Sequence, residues 1–293
     1  MPVGLSLVIK EPWLGWPLTL LKIKGMDLSS AVGTALIGRK HFLVSCDNIS
    51  DTISELQKIL KRFNLKVSVC EITDATQWGD ISTEFSPATE TDVIILPQLV
   101  KGSSKLQNCL YQNMINSKIL ILPISLNIRG TELELHERLK DIIWYRYFHS
   151  SLKPIPREAP DLLVDDKELN SLRNQLKTVQ IVTDIRRYML DIIVYTRTHR
   201  MVVGGLPTYV IDDFELFCKC QSLLRGYDYV IPIIVKLSAL WLLPFKIKIL
   251  NKVNLEPSLQ WGSDYELVKE VCSRMSDANV IIEEVVANVG PPL

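Results

Sequence analysis

The chain carries no excess charge of either sign: 33 basic residues stand against 33 acidic ones. A protein without a net field is not drawn as a whole onto nucleic acid or an anionic membrane, so any such contact must come from a local patch. Its six cysteines, Cys46, Cys70, Cys109, Cys218, Cys220 and Cys272, include no C-x-x-C pair and no zinc spacing. They read as buried free thiols in a reducing compartment, and the side chains of Cys218 and Cys220 diverge on a helix. There is no charged leader ahead of an apolar stretch, and Pro12 and Pro17 interrupt the apolar character near the start, so no cleaved signal is expected. No apolar run reaches the ~20 residues of a spanning helix. The best candidate, Ile231 to Leu243, contains Lys236, is bounded by Pro232 and Pro244, and reads as a core helix. G-x-S-x-G, H-E-x-x-H and paired-carboxylate motifs are all missing, and His41, His136 and His149 share no ligand or relay spacing. These absences leave a soluble intracellular protein of nucleus or cytoplasm, with no membrane contact, no metal and no cofactor expected.

What is present is apolar material for a sizeable core, 47% of the residues against 23% charged. Residues 1–35, with Trp13 and Trp16, are punctuated by Gly and Pro and read as an irregular segment with a short hairpin. An α/β domain is expected over 36–150. Its strands are Phe42–Cys46, Lys66–Ile72, Asp92–Leu96 and Lys118–Ile124, and Trp144–Phe148 makes a fifth. The third and fourth are almost wholly apolar, as strands covered on both faces are. Ile53, Leu56, Ile59, Leu60 and Phe63 share one helix face, and helices are also expected over 105–115 and 136–143. Strand–helix–strand order implies parallel pairing with right-handed crossovers. Pro154, Pro156 and Pro160 mark a linker, which with a connecting helix from Glu168 covers 151–177. A helical domain follows over 178–250. In the tail, 251–293, Ser263 and Glu266 have capping-box spacing ahead of Leu267, Val268, Val271 and Met275, and the apolar stretch 280–289 is expected to be buried.

The stretch from Thr183-Asp184-Ile185-Arg186-Arg187-Tyr188 through Arg197-Thr198-His199-Arg200 and Gly204-Gly205-Leu206-Pro207 to Leu224-Arg225-Gly226-Tyr227-Asp228 resembles the helical lid of AAA+ ATPases of the magnesium-chelatase and MoxR group. The resemblance implies a P-loop α/β domain upstream of an α-helical lid domain. A working P-loop needs G-x-x-x-x-G-K-[ST] after its first strand, to wrap phosphates in backbone amides, neutralise them and hold Mg²⁺. Here Cys46 and Asp51 stand at the glycine positions, Thr52 and Ile53 at the Lys and hydroxyl positions, and no glycine lies between Gly38 and Gly79. Asp47 and Asp51 would repel a triphosphate and read as caps of the following helix. The third strand ends in Leu96-Pro97-Gln98 where the metal-anchoring carboxylates belong. Asn127, after the fourth strand, has the position of a polar sensor and equally that of a turn residue. Thr208 occupies the position at which the resemblance implies a lid arginine over the γ-phosphate. Three phosphate-handling elements are missing together, and the fold class expected is a degenerate AAA+-like parallel-sheet domain with a lid, a pseudo-ATPase.

Arg186, Arg187, Arg197, His199 and Arg200 concentrate positive charge around the first lid helix, whose buried face is supplied by Ile185, Met189, Ile192 and Ile193. Three readings stay open. The cluster is a solvated face whose Arg-Thr-His-Arg turn is tied to neighbouring carboxylates such as Asp212 and Asp213, a protein interface, or a phosphate-backbone contact on nucleic acid, although the aromatic interleaving of single-strand binders is missing. Arg186-Arg187-Tyr188, Leu190-Asp191-Ile192, Arg197-Thr198-His199-Arg200, Gly204-Gly205, Gly262-Ser263-Asp264 and Gly290-Pro291-Pro292 together resemble the fungal maintenance of telomere capping proteins of the second type, closely over 180–293 and loosely upstream. The resemblance implies a role in telomere capping. Joined to the missing phosphate chemistry, it leads to a non-catalytic scaffold that binds a protein partner. A nucleotide-binding regulator without turnover and a nucleic-acid-binding module using the lid arginines are the alternatives.

Overall fold

The computed structural model describes residues 26–86, 88–113, 118–125, 135–150, 166–250 and 252–292. The hairpin expected around Trp13 and Trp16, the sensor position Asn127 and the linker prolines lie outside these residues. The elements run α1 Leu28–Gly38, β1 His41–Cys46, α2 Ile49–Arg62, β2 Val67–Val69, α3 Trp78–Ile81, β3 Val93–Ile95, α4 Ser104–Asn113, β4 Ile119–Ser125, α5 Glu137–Ile142 and β5 Ile143–His149. Helices follow: α6 Asp166–Leu176, α7 Thr183–Thr198, α8 Val210–Leu224, α9 Pro232–Lys246, α10 Tyr265–Arg274 and α11 Ala278–Asn288.

The five strands form one parallel sheet in the order β2-β3-β4-β1-β5. Side chains alternate across a strand, and the sheet divides its core accordingly. Phe42, Val44, Val93, Ile95, Ile119 and Ile121 join α1, α2 and the C-terminal helices in one buried cluster. Leu43, Ile94, Leu96, Leu120, Leu122 and Ile124 join α3, α4 and α5 in the other. Every strand expected from the sequence is present. The three central strands are apolar enough to be covered on both sides; of the edge strands, β2 is half-buried and β5 is buried only over its first three residues, with Phe148 exposed.

Strand β5 breaks the alternation. His41 pairs with Ile143 and Phe42 with Tyr145, so Trp144 is the extra residue of a bulge, and Trp144 and Tyr145 both enter the first cluster. The Phe217 ring of α8 meets each of them edge-on at 5.1 Å. The Trp144 indole donates to Asp213 O at 3.1 Å and the Tyr145 hydroxyl to Ala31 O at 2.6 Å. Helices α1, α8 and α9 are thereby locked to the sheet, and a single buried cluster runs from the strands into the region 178–250 without a break. A Cβ on Gly38, at the end of α1, would lie 2.7 Å from the Trp144 ring.

Two expectations are corrected. The segment 1–35 was expected to be irregular, yet the chain is helical from Leu28, with the Asp27 carboxylate capping Ser30 N at 2.8 Å. This helix is buried on nearly every side between sheet and α8, so its sequence shows no amphipathic period. The capping box from Ser263 to Glu266 does not form. Ser263 N is used in closing the preceding 3-10 turn on Ser258 O at 3.2 Å, and Gly262 supplies the left-handed turn at φ 85°. Asp264 takes the cap instead, accepting from Glu266 N at 2.9 Å. The apolar stretch 280–289 is buried as expected, through Ile281, Ile282, Val285, Val286 and Val289. Among the described residues no helix is long and apolar enough to cross a membrane.

Candidate functional site

In open parallel sheets ligands bind at the carboxyl ends of the strands, and β1 ends at Cys46 with α2 beginning at Ile49. The connection is therefore two residues, Asp47 and Asn48. Asn48 is extended (φ −124°, ψ 115°), and its side-chain oxygen accepts from Ser50 N at 3.1 Å and Asp51 N at 3.5 Å. Its amide nitrogen donates to Asp51 Oδ2 at 2.8 Å, and its carbonyl accepts from both Thr52 N (3.2 Å) and Thr52 Oγ1 (2.7 Å). Asn48 takes the cap expected of Asp47 and Asp51. Asp51 stands in the first turn, where a negative charge suits the helix dipole. An anion nest needs successive amides turned inward by alternating right- and left-handed residues. No residue between Lys40 and Phe63 has a positive φ, and the amides of Ser50 and Asp51 already have an acceptor.

Among the described residues the neighbouring strand ends carry no phosphate or metal chemistry either. Beyond β3, Pro97 is buried and Gln98 is left-handed (φ 54°), with its amide donating to Pro123 O at 2.9 Å. Cys46 Sγ lies 3.4 Å from Ile124 O, and burial pushes its thiol pKa up. His149, closing β5, sits 3.0 Å from the Glu55 carboxylate. Among the described residues no group of three or more His, Cys, Asp or Glu is placed to hold a metal ion. Thr208, at the position of the implied lid arginine, is exposed just before α8.

The structure splits the basic cluster in two. Arg186 reaches Glu215 on α8 at 3.1 Å, and Arg187, 74% exposed, faces Asp184 at 3.6 Å. Both project outward. Arg197 donates from Nε to Leu206 O at 3.1 Å, and His199 Nδ1 accepts from Met201 N at 3.3 Å. Burial lowers the His199 pKa, which favours the neutral imidazole. Arg200 donates to Glu256 Oε1 from Nε (3.2 Å) and Nη2 (2.8 Å), although Glu256 is only 3% exposed. Burial alone would raise the Glu256 pKa. Hydrogen bonds from Ser258 and Arg200 outweigh it and hold the carboxylate below its ordinary value. Arg197, His199 and Arg200 thus fasten the turn after α7 and the start of the tail. The acidic partner of Arg200 is Glu256, not the expected Asp212 or Asp213. Asp213 is turned toward the sheet, 2.9 Å from Lys40 and 3.9 Å from Lys246. Asp212, Arg186 and Glu215 border a groove of about 240 Å³ between α7 and α8, floored by Met189, Leu190, Ile193 and Ile211.

Sequence reasoning passed over Lys246. Its ammonium is buried where α9 meets the sheet and donates to Ile143 O at 2.7 Å and Asp141 O at 3.1 Å, under the Tyr209 ring at 5.0 Å. Burial lowers its pKa to about 8, against the opposing pull of Asp213 and Asp141. A second lysine, closing a mostly apolar helix, was the available signal.

No protein-family model matches the chain. Over 134 residues it is 33% identical to maintenance of telomere capping protein 2 of Lachancea thermotolerans, covering 44% of this chain and 46% of that protein. Proteins of the same name from Saccharomyces cerevisiae S288c (34% over 114 residues, 38% of this chain and 31% of theirs) and Kluyveromyces lactis (33% over 94 residues, 31% and 34%) are also similar. The fungal homology read from the sequence is thus present over roughly two-fifths of the chain, and each match spans less than half the length of the curated relative. Among solved structures, a protein of Cytophaga hutchinsonii described as a candidate ATPase superposes with a TM-score of 0.67 at 13% identity, over 90% of this chain and 89% of that one. At that identity the likeness concerns the fold alone. With the sheet order it establishes an AAA+-like α/β fold with a helical C-terminal part.

Proposed function

We propose that the chain is a non-catalytic AAA+-like adaptor that serves telomere capping by binding protein through the outer face of α7. The observation that carries this reading is the two-residue connection Asp47-Asn48, whose carboxamide occupies the helix amides a phosphate would need. Two exposed carboxylates at the same place add repulsion. Absence of a carboxylate at Pro97 and Gln98 and of an arginine at Thr208 points the same way. The telomere role comes from the names of the yeast relatives, and the protein-binding role from Arg186 and Arg187, which stay exposed on a helix that also shows Leu190, Val194 and Tyr195 to solvent.

The test is nucleotide response followed by partner capture. A ligand at a hundred times its dissociation constant stabilises a protein by about 2.7 kcal/mol, which in a chain of this size raises Tm by roughly 4 °C. Millimolar Mg-ATP or Mg-ADP is expected to leave Tm unmoved and phosphate release at the blank rate. Turnover that disappears on altering Asn48 or Asp51 would refute the reading. In cells, a bait carrying Arg186→Ala/Arg187→Ala is expected to lose a stoichiometric partner that the wild-type bait retains.

A further inference from the structure

The turn that leads into α10 is fixed at its base and bare at its tip. Glu256 is clamped by Arg200 and Ser258, Ser263 N donates to Ser258 O at 3.2 Å, and Gly262 is left-handed at φ 85°. Every residue from Gln260 to Leu267 is nonetheless exposed. Among the described residues the Ser263 hydroxyl has no hydrogen-bond partner. Asp264 follows it directly, Glu266 stands three residues on, and Glu270 is one helical turn further. The one basic residue between Gln260 and Glu270 is Lys269, which already faces Glu266 at 3.6 Å.

A protein kinase whose substrate groove is lined by basic side chains selects a hydroxyl by the acids that follow it, and charge patterns of this kind set kinase–substrate specificity. Among the described residues four hydroxyls have an acid three positions on, and the structure sets three of them aside. Thr52, ahead of Glu55, is buried and donates to Asn48 O at 2.7 Å. Ser68, ahead of Glu71, lies inside β2 and is paired with Ile94 of β3. Thr89, ahead of Asp92, donates to Ser86 O at 2.7 Å and accepts from the buried Lys118 ammonium. Ser263 alone is exposed and unbonded, and it alone has a second acid at the next position. A kinase also needs extended chain around the hydroxyl. Asp264 is already extended (φ −61°, ψ 125°), and Val268 is the one buried residue of α10. Opening so bare a first turn costs little beside opening the core.

We infer that Ser263 is a phosphorylation site for an acid-directed protein kinase, which reads Asp264 and Glu266. In the transfer Ser263 Oγ attacks the γ-phosphorus of Mg-bound ATP. The new O–P bond forms as the bond to the β,γ-bridging oxygen breaks, the hydroxyl proton passes to the kinase's catalytic carboxylate, and ADP leaves. The product adds about 1.5–2 negative charges beside Asp264, Glu266 and Glu270. The turn that shows Trp261, 87% exposed, and Tyr265 to solvent thereby becomes strongly anionic. No residue of this site belongs to the outer face of α7, so the inference stands apart from the adaptor reading.

The folded full chain, incubated with a purified acid-directed serine kinase and Mg-ATP, tests it. Peptide mapping by mass spectrometry is expected to place one phosphoryl group on Ser263, and Ser263→Ala to take none. Glu266→Lys keeps the hydroxyl and reverses the charge three residues on. It is expected to slow the initial rate about tenfold, equivalent to ~1.4 kcal/mol, while circular dichroism melts verify an unchanged fold. The chain purified from cells with phosphatases inhibited is expected to carry the same phosphoserine. No transfer to the folded chain overturns the inference, as does transfer to Tyr265 or another residue in place of Ser263. An unchanged rate for Glu266→Lys also overturns it, and so does a cellular chain whose Ser263 is unmodified.

Discussion

Replacing Lys246 with Met tests whether a charge is held inside the joint between the sheet and the C-terminal helices. Its pKa of about 8 lies well below the ordinary lysine value of 10.5. Each unit is worth about 1.36 kcal/mol, so keeping the ammonium buried at neutral pH costs roughly 3 kcal/mol. The Met variant escapes that cost but leaves Ile143 O and Asp141 O without their donor, at about 1–3 kcal/mol each. The two effects nearly cancel at pH 7, and a single neutral-pH melt is uninformative. The pH dependence is not. With the folded pKa below the unfolded one, the unfolded chain binds more protons between pH 8 and 10.5, and stability rises with pH across that window. Wild type should therefore gain about 2 kcal/mol relative to Lys246→Met between pH 7 and 9.5. The absolute curve of either protein runs the other way where buried thiols dominate, because the Cys218 thiol is raised to about 12 and Cys220 is raised too. Only the difference between the two proteins isolates the lysine. Urea titrations followed by tryptophan fluorescence at the two pH values, with thiols kept reduced, supply it. A difference that does not change with pH refutes the claim that Lys246 is desolvated, and would mean that Asp213 and the two carbonyls restore all that burial takes away.

Gly38→Ala is expected to lower stability by about 1–3 kcal/mol in a thermal melt, because the added methyl overpacks the fixed Trp144 ring; a stabilisation by the ~1 kcal/mol of helix propensity would mean the ring gives way freely. Arg200→Ala should cost about 1–2 kcal/mol at pH 7 in urea unfolding, being the loss of a charged hydrogen-bonded partner for Glu256, reduced by the arginine's own exposure. Since the folded Glu256 pKa is depressed, that contribution is full above the unfolded carboxylate pKa of ~4.3 and is lost as pH falls through the folded value, so wild type and variant should converge in acid.

The sheet could be read from the sequence because its three central strands are short apolar runs with punctuation on both sides, and burial on two faces needs nothing subtler, while the half-buried edge strand β2 shows as an alternation. Helix α2 could be read because Leu56 and Leu60 repeat at its period. Helix α1 could not, since Ala31, Val32, Ala35, Leu36 and Ile37 are buried around most of its circumference and leave no stripe. The deficits after β1 and β3 were visible as missing residue types, but the identity of the cap was not. Asn48, Asp47 and Asp51 are all competent cap residues, and which one wins depends on where the strand stops. The basic cluster looked like one site because its members are close in sequence. From Arg186 to Arg200 is fourteen residues, or roughly 20 Å of helix, and side chains at the two ends meet different partners. Glu256 is separated from Arg200 by 56 residues, and the Lys246 acceptors by more than a hundred. No local pattern encodes such pairings.

The bulge at Trp144 has a mechanical consequence. Tilting the C-terminal helices away from the sheet would uncover Trp144, Tyr145 and Phe217 together, rings that each bury about 150–250 Å². At ~25 cal/mol per Å² that amounts to roughly 10 kcal/mol or more, comparable to the whole stability of an ordinary domain. The sheet and helices α8 and α9 must therefore travel as one stiff block. A partner leaning on α7 would feel the resistance of the entire molecule, as against an anvil, and not a jointed arm.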